Sequence, residues 1–235
     1  MPRATVIGSG PNGLAAAVSL ARAGYAVEVL EAAPTIGGGV RSAASTLPGF
    51  VHDVCSAVHP AAYSSPFLRA FGRDRVEWII PEAAYAHPLD DGRAGIAWHD
   101  LERTADALGP DARAWRALLR PLSTHIEGLL DATGGSLLRI PRDPVTAVRY
   151  GLRVLEQGSM MARGTFRTAE AAGLVAGVVA HANTALPALS GAAAGLLLMA
   201  QAHAGGWAYP RGGAQRIADA LADDLRAHGG AIRTD

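Results

Sequence analysis

Cysteine is almost missing from this 235-residue chain, in which Cys55 stands alone. An internal disulfide is therefore excluded, and so is a zinc site built on paired cysteines. A surplus of charge is missing too: 21 basic residues balance 21 acidic ones, and the pI is near 7.1. Nothing in that balance points to nucleic acid as a partner. The most apolar stretch, Leu186 to Ala202, is too short to cross a bilayer comfortably and carries Pro187 near its start. Diluted by Ser190, Gly191, Gly195 and Gln201, it reads as a buried helix whose small residues let neighbours come close. The first strand pattern begins almost at Met1, which leaves no room for a signal peptide, so the expected setting is cytoplasmic. There is no Ser–His–Asp signature, no His-x-x-x-His pair, and no pair of carboxylates with local logic; no metal site is expected. What remains is 49% hydrophobic and 18% charged, a globular composition long enough for one or two domains.

Glycine, by contrast, is plentiful at 28 residues, and its placement is informative. Gly8, Gly10 and Gly13 follow the apolar run ending in Val6-Ile7 and precede an Ala-rich helical pattern. Gly24 stops that helix, a second apolar run spans Ala26 to Leu30, and Glu31 closes it. This is the layout of a dinucleotide-binding βαβ unit. Gly8 allows the tight turn, Gly10 lets a pyrophosphate approach the backbone, and Gly13 lets the helix lie close. Ser9, Pro11 and Asn12 complete the loop. The free N–H groups of the helix N-terminus would hold the anion, and Glu31 would accept hydrogen bonds from a ribose. A doubly wound fold whose first loop binds nothing is the plainer account.

Directly after Glu31 and Ala32 comes a second glycine cluster, Gly37-Gly38-Gly39, followed by Val40-Arg41-Ser42. In a plain nicotinamide domain the chain would pass into an ordinary crossover at this point. A backbone-exposed loop carrying Arg41 suits a second approach to a long, charged cofactor; a flexible surface turn with a solvated arginine is the alternative. Gly8 to Glu31 with Gly37 to Ser42 resembles the N-terminus of FAD oxidoreductases that have two dinucleotide domains. Within that group the chain is most similar to the phytoene dehydrogenase-related enzymes. Leu47 to Pro60 and Gly205 to Gly213 carry the likeness further. Carotenoid desaturases usually read Gly-Gly-Arg in the second loop, whereas Gly39 stands in that arginine position here and Arg41 lies two residues later. That points to the related branch and leaves a carotenoid substrate unsupported.

The resemblance implies FAD held by Gly8, Ser9, Gly10, Pro11, Asn12, Gly13, Glu31, Ala32, Gly38, Gly39, Val40 and Arg41, and an apolar small molecule as substrate. It implies an α/β fold: a Rossmann-like FAD-binding domain with an inserted α+β substrate domain. The expected divisions are 1–75 for the first part of the FAD domain, 76–205 for the insert and 206–235 for the return segment. Family members are roughly twice this long, so the chain is expected to be an N-terminal part or a shortened version lacking the family's C-terminal half.

Patterning supplies the elements between. An Asp90-Asp91-Gly92 turn between Tyr85–His87 and Ala94–Trp98 predicts a hairpin. Asp100 caps a helix to Ala107, and another runs from Pro110 past Trp115 with a kink or break at Pro121, ending near Gly134-Gly135. Further helices are expected over 145–155, 169–182 and 214–228, the last followed by a strand from Ala231 that the family returns to the FAD-binding sheet. No catalytic side chain can be named, because a flavin carries the hydride chemistry. His52, His59, His87 and His203 are candidates to line a flavin pocket, each also read as an ordinary packed or solvated histidine. Arg139, Arg142, Arg149 and Arg153 flank amphipathic helices and suit contact with a membrane surface, although a solvated face explains them too. Three readings stay open: an FAD-dependent oxidoreductase, a non-catalytic nucleotide-binding chain or partner subunit, and an NAD-dependent dehydrogenase that fits the first motif alone.

Overall fold

Apolar residues alternate along Arg3–Ile7 and Ala26–Glu31, and these segments form strands β1 and β2. They pair in parallel from Arg3 opposite Ala26 to Ile7 opposite Leu30. Between them α1 (Pro11–Arg22) begins with a proline, tolerated there because a first-turn N–H has no helical partner. The computed structural model describes residues 1–136 and 139–235, which divide into two units: Met1–Ile79 with Ala208–Asp235, and Ile80–Trp207. The first unit continues with an antiparallel pair, β3 (Ser42–Ala43) and β4 (His52–Asp53), two short helices, α2 (Pro60–Ser64) and α3 (Pro66–Phe71), and β5 (Trp78–Ile79).

The second unit opens with the hairpin β6 (Ala83–Pro88) and β7 (Ala94–Trp98), turning at Gly92 with φ 84°. Six helices follow: α4 (Leu101–Ala107), α5 (Ala112–Thr124), α6 (Ile126–Gly134), α7 (Pro144–Gln157), α8 (Ala169–Ala180) and α9 (Leu189–Ala204). Asp100 caps α4 by accepting the N–H groups of Glu102 and Arg103. Of the kink or break expected at Pro121, the break falls further along: α5 carries the proline inside and ends at Thr124, and α6 begins at Ile126. Proline deprives the carbonyl four residues earlier of its helical donor. That carbonyl, on Ala117, accepts the Arg153 guanidinium at 3.2 Å instead.

Trp115, Leu118, Leu119, Leu122, Leu129, Leu174, Leu196 and Met199 form the core of this unit. A Cβ on Gly195 would sit 2.7 Å from Val179 Cγ2, so only glycine allows α9 to approach α8 this closely. His203 is part of this core as well: its Nε2 accepts from the Trp115 indole at 3.2 Å, and burial lowers its pKa to about 4. It is a packed, neutral histidine, the plainer of the two readings.

The chain then returns to the first unit. β8 (Tyr209–Pro210) pairs antiparallel with β5, α10 spans Gln215–Ala227, and β9 (Ala231–Thr234) lies parallel to β2. The sheet order is β1-β2-β9. Ile217, Leu221 and Leu225 of α10 join Leu14, Ala17, Val18 and Ala21 of α1 over Val27 and Val29. Ile7, on the opposite face of β1, is 87% exposed. Among the described residues no helix is long and apolar enough to cross a membrane, and no group of His, Cys, Asp and Glu could hold a metal ion.

One buried carboxylate ties α10 to α1. Asp224 is 3% exposed and accepts both Arg22 Nε at 2.9 Å and Nη2 at 2.7 Å, while Arg75 Nη1 lies 2.8 Å away. The Arg22 hydrogen bonds hold its pKa below the usual carboxylate range. Its stabilisation is therefore complete above the unfolded value of about 3.9 and lost as pH falls below it. Asp224→Ala should cost about 1–3 kcal/mol at neutral pH, since both arginines are exposed enough to rehydrate. Denaturant midpoints of the two proteins at pH 7 and pH 3 measure this, and the gap should shrink at the lower pH.

Candidate dinucleotide-binding site

The first glycine loop joins β1 to α1 at the carboxyl end of the sheet, where open α/β folds hold ligands. Gly8 has φ 93°, a conformation that side chains rarely adopt, and its N–H donates to Leu30 O at 2.7 Å. A Cβ on Gly13 would fall 2.1 Å from Gly8 O, so this glycine lets the first turn of α1 lie on the loop itself. A Cβ on Gly10 would meet nothing within 4 Å. The space above Gly10 is open, and no side chain caps α1. First-turn N–H groups with free space beside them form an anion site.

Glu31 ends β2 and gathers the surrounding backbone. Its Oε2 accepts the Ser9 N–H at 2.8 Å and the Ser9 hydroxyl at 2.5 Å, and its Oε1 accepts the Ala33 N–H at 2.9 Å. The Ser9 hydroxyl bond is the largest cause lowering the Glu31 pKa to about 2, followed by the two backbone N–H bonds. The group is thus an anion throughout the physiological range and an acceptor only. Ser9 links onward, since its carbonyl accepts the Gly37 N–H at 3.0 Å.

The second glycine loop closes onto the first. Gly37 (φ 116°) and Gly38 (φ 53°) turn the chain so that a Cβ on Gly38 would lie 3.0 Å from Gly10 Cα. Gly38 to Val40 form one 3-10 turn with Val40 buried, and Arg41 Nε donates to Gly38 O at 3.0 Å. Ser56 N–H then donates to Gly39 O and Val54 N–H to Arg41 O. Asp53 Oδ1 accepts both the Ser42 hydroxyl at 2.6 Å and the Ala214 N–H at 2.7 Å, fixing the start of α10. The sequence segments 37–42, 53–59 and 208–215 are brought together in this way.

Three clefts border the paired loops. One of about 300 Å³ at the strand ends is lined by Glu31 and Ala32 together with Ile7, Leu30, Arg233 and Thr234. A second of about 300 Å³ adjoins Pro11, Asn12 and Val40, with His59 and Ser65 among its other walls. A third of about 540 Å³ holds Arg41 beside Thr35, Ile36, Ser42 and Gln215. His59 is 7% exposed, burial pushes its pKa down, and its Nε2 has no partner among the described residues. Arg233, Thr234, Ser65 and Gln215 carry no motif signal, and only the return of β9 and α10 reveals them. His87 belongs to β6 in the second unit, and His52 is hydrogen-bonded to Thr46 at 2.6 Å.

Residues 6–73 match the family model of the NAD(P)-binding Rossmann-like domain. The first unit has a Rossmann-like fold. Comparison with the curated proteins finds no match. Among solved structures, putrescine oxidase bound to putrescine is similar at TM-score 0.57 and 18% identity, over 99% of this chain and 51% of that one. Cyclohexylamine oxidase from Brevibacterium oxydans gives 0.56 and 17%, over 98% and 50%. A Rab GDI from Plasmodium falciparum gives 0.54 and 14%, over 98% and 57%. The fold is therefore one that oxidoreductases use, and this chain spans about half the length of those oxidases.

Two outcomes follow from the loop geometry. Gly13→Ala should force α1 away from Gly8 O and destabilise the chain by more than about 1 kcal/mol, because the contact is with backbone that cannot rotate away. Thermal melts of the variant check this. Ser9→Ala should return the Glu31 carboxyl toward its ordinary value of about 4.3. In the wild type, the stability contributed by Glu31 is present above that value and lost as pH falls toward 2; the variant should show a smaller loss, because the Ser9 and Ala33 N–H groups still donate to the carboxylate. Titration of the Glu31 side-chain carbon by NMR reads both.

Proposed function

We propose that this chain supplies the half of an FAD-dependent oxidoreductase that grips the ADP portion of the cofactor, in an enzyme of the phytoene dehydrogenase-related kind acting on an apolar small molecule. The observation that carries the reading is the seating of Gly38 against Gly10: a second glycine loop closes on the pyrophosphate loop instead of leading into a crossover. A nicotinamide domain needs only the first loop. The site residues suit the group: open space over Gly10, an uncapped helix N-terminus, an anionic Glu31, and an orphaned His59 nitrogen beside Asn12. Gly10, Asn12 and Gly13 would hold the pyrophosphate, Glu31 the adenosine ribose, and Gly38 to Arg41 the portion beyond. When bound, FAD accepts a hydride from the substrate. The chain itself binds, orients and shields. A cytoplasmic setting accords with its single cysteine.

A second reading is a chain that binds the nucleotide without oxidising a substrate; a Rab GDI shares the fold. Both readings are tested by purifying the full-length protein, recording its absorbance and analysing the released cofactor. The expected result is flavin absorbance and FAD on release, weakly held when the 235-residue chain is prepared alone. Gly10→Val with Glu31→Ala should remove FAD binding by about tenfold or more, as the anion site is filled and the ribose acceptor lost. Binding of NAD in place of FAD, or FAD binding unchanged by those substitutions, would overturn the assignment. Tightly bound FAD that no substrate can reduce would favour the non-catalytic reading.

A further inference from the structure

Helix α7 turns its bulkiest aliphatic side chains away from the core of its unit. Inward it sends Tyr150, whose hydroxyl donates to Ala193 O at 2.6 Å, together with Val154 and the buried Thr146. Outward stand Val145, Val148 and Leu152, which are 63%, 63% and 61% exposed, and Leu155 at 51%. Steps of three and four residues place these four in one line along the helix. Met160 and Met161 extend the line through the turn after α7, at 56% and 63% exposure. Gly158 lies against Leu189 of α9, which brings in the exposed Leu186 and Leu189. A cleft of about 310 Å³ reaches the same region, walled by Phe166, Val175, Val179, Leu186 and Pro187, with Gln157 the one polar residue lining it among the described residues.

A continuous apolar surface of this kind marks an interaction site, and charge selects the occupant. The neighbouring carboxylates are already engaged: Asp143 caps α7 through Thr146, Glu156 holds Arg153, and Asp131 holds Arg139. Arg142 is 88% exposed and 3.7 Å from Asp131, and Arg149 has no carboxylate partner among the described residues. The chain contains no lysine, so its side-chain cations are guanidiniums apart from any charged histidine. These keep spare N–H donors in the planar arrangement that phosphate accepts. Acyl chains would take the stripe and enter the apolar cleft while headgroup phosphates take the arginines. We propose that the exposed face of α7 is a peripheral docking surface for an anionic lipid bilayer.

The test is sedimentation of the full-length protein with vesicles of phosphatidylcholine alone and of phosphatidylcholine mixed with phosphatidylglycerol. Preferential binding to the anionic vesicles is expected, weakening as salt rises. Val148→Glu with Leu152→Glu should reduce it roughly tenfold or more. Arg142→Glu with Arg149→Glu should bring it to the level of neutral vesicles. Val148, Leu152 and Arg142 are exposed and Arg149 is half-buried, so thermal melts should stay close to the wild type. Absence of binding to either vesicle, or binding unchanged by both double variants, would overturn the proposal. So would a wild-type dimer that the Glu variants dissociate without any vesicle binding, since the face would then join two copies. Vesicle binding needs no FAD, so its failure leaves the cofactor reading untouched.

Discussion

Glu31 accepts the N–H and the hydroxyl of Ser9 and the N–H of Ala33, and through Ser9 the first glycine loop is joined to the second at Gly37. A strand end, two loops and the turn after β2 are thus referred to one carboxylate. An anion can serve in this way because the donors are fixed backbone groups, and multiple donated bonds favour its charged form. The glycines bring the loops close; the carboxylate sets their register. Neither would suffice alone, since three adjacent glycines are costly to order without partners. The same residue has one acceptor site left on Oε1, so a structural anchor and a ribose acceptor are compatible roles.

The parts legible in the sequence are those whose physics is local. Gly8, Gly13 and Glu31 announced their positions through spacing, and Asp100 announced its helix through capping chemistry. The hairpin at Gly92 followed from a turn signal between short apolar runs. Pro121 located the break between α5 and α6 only approximately, because the cost of an internal proline depends on whether the freed carbonyl finds another donor. Arg153, on a different helix, supplies it, and no window around residue 121 contains that information. The clefts were hidden for the same reason. Asp53 fixing Ala214, or Thr234 beside Glu31, depends on contacts across most of the chain.

The second unit shows how far a similar pattern can mislead. The stretch richest in apolar and small residues, which forms α9, is buried along its length from Gly191 to Ala202 but not at its start, where Leu186 and Leu189 are exposed, and Gly195 explains its close approach to α8. Helix α7 has comparable aliphatic residues at helical spacing, yet the larger of them are exposed. Periodicity reveals that a helix has two faces, but it does not say which face meets the core. In α7 the answer comes from Tyr150 and Thr146, whose polar groups find partners inside.

The placement of β9 beside β2 has a consequence in time. Arg22 and Asp224 stand 202 residues apart in sequence, and the strands they flank are similarly remote. The second unit is one unbroken segment and can reach its own contacts as soon as it has been made. The first unit cannot, because β2 lacks a neighbour on one edge until the final residues of this segment leave the ribosome. Closing so long a loop adds only modestly to the entropy cost but slows the search for partners. During synthesis the nucleotide domain therefore waits with a bare strand edge, the kind of surface that invites pairing with another chain.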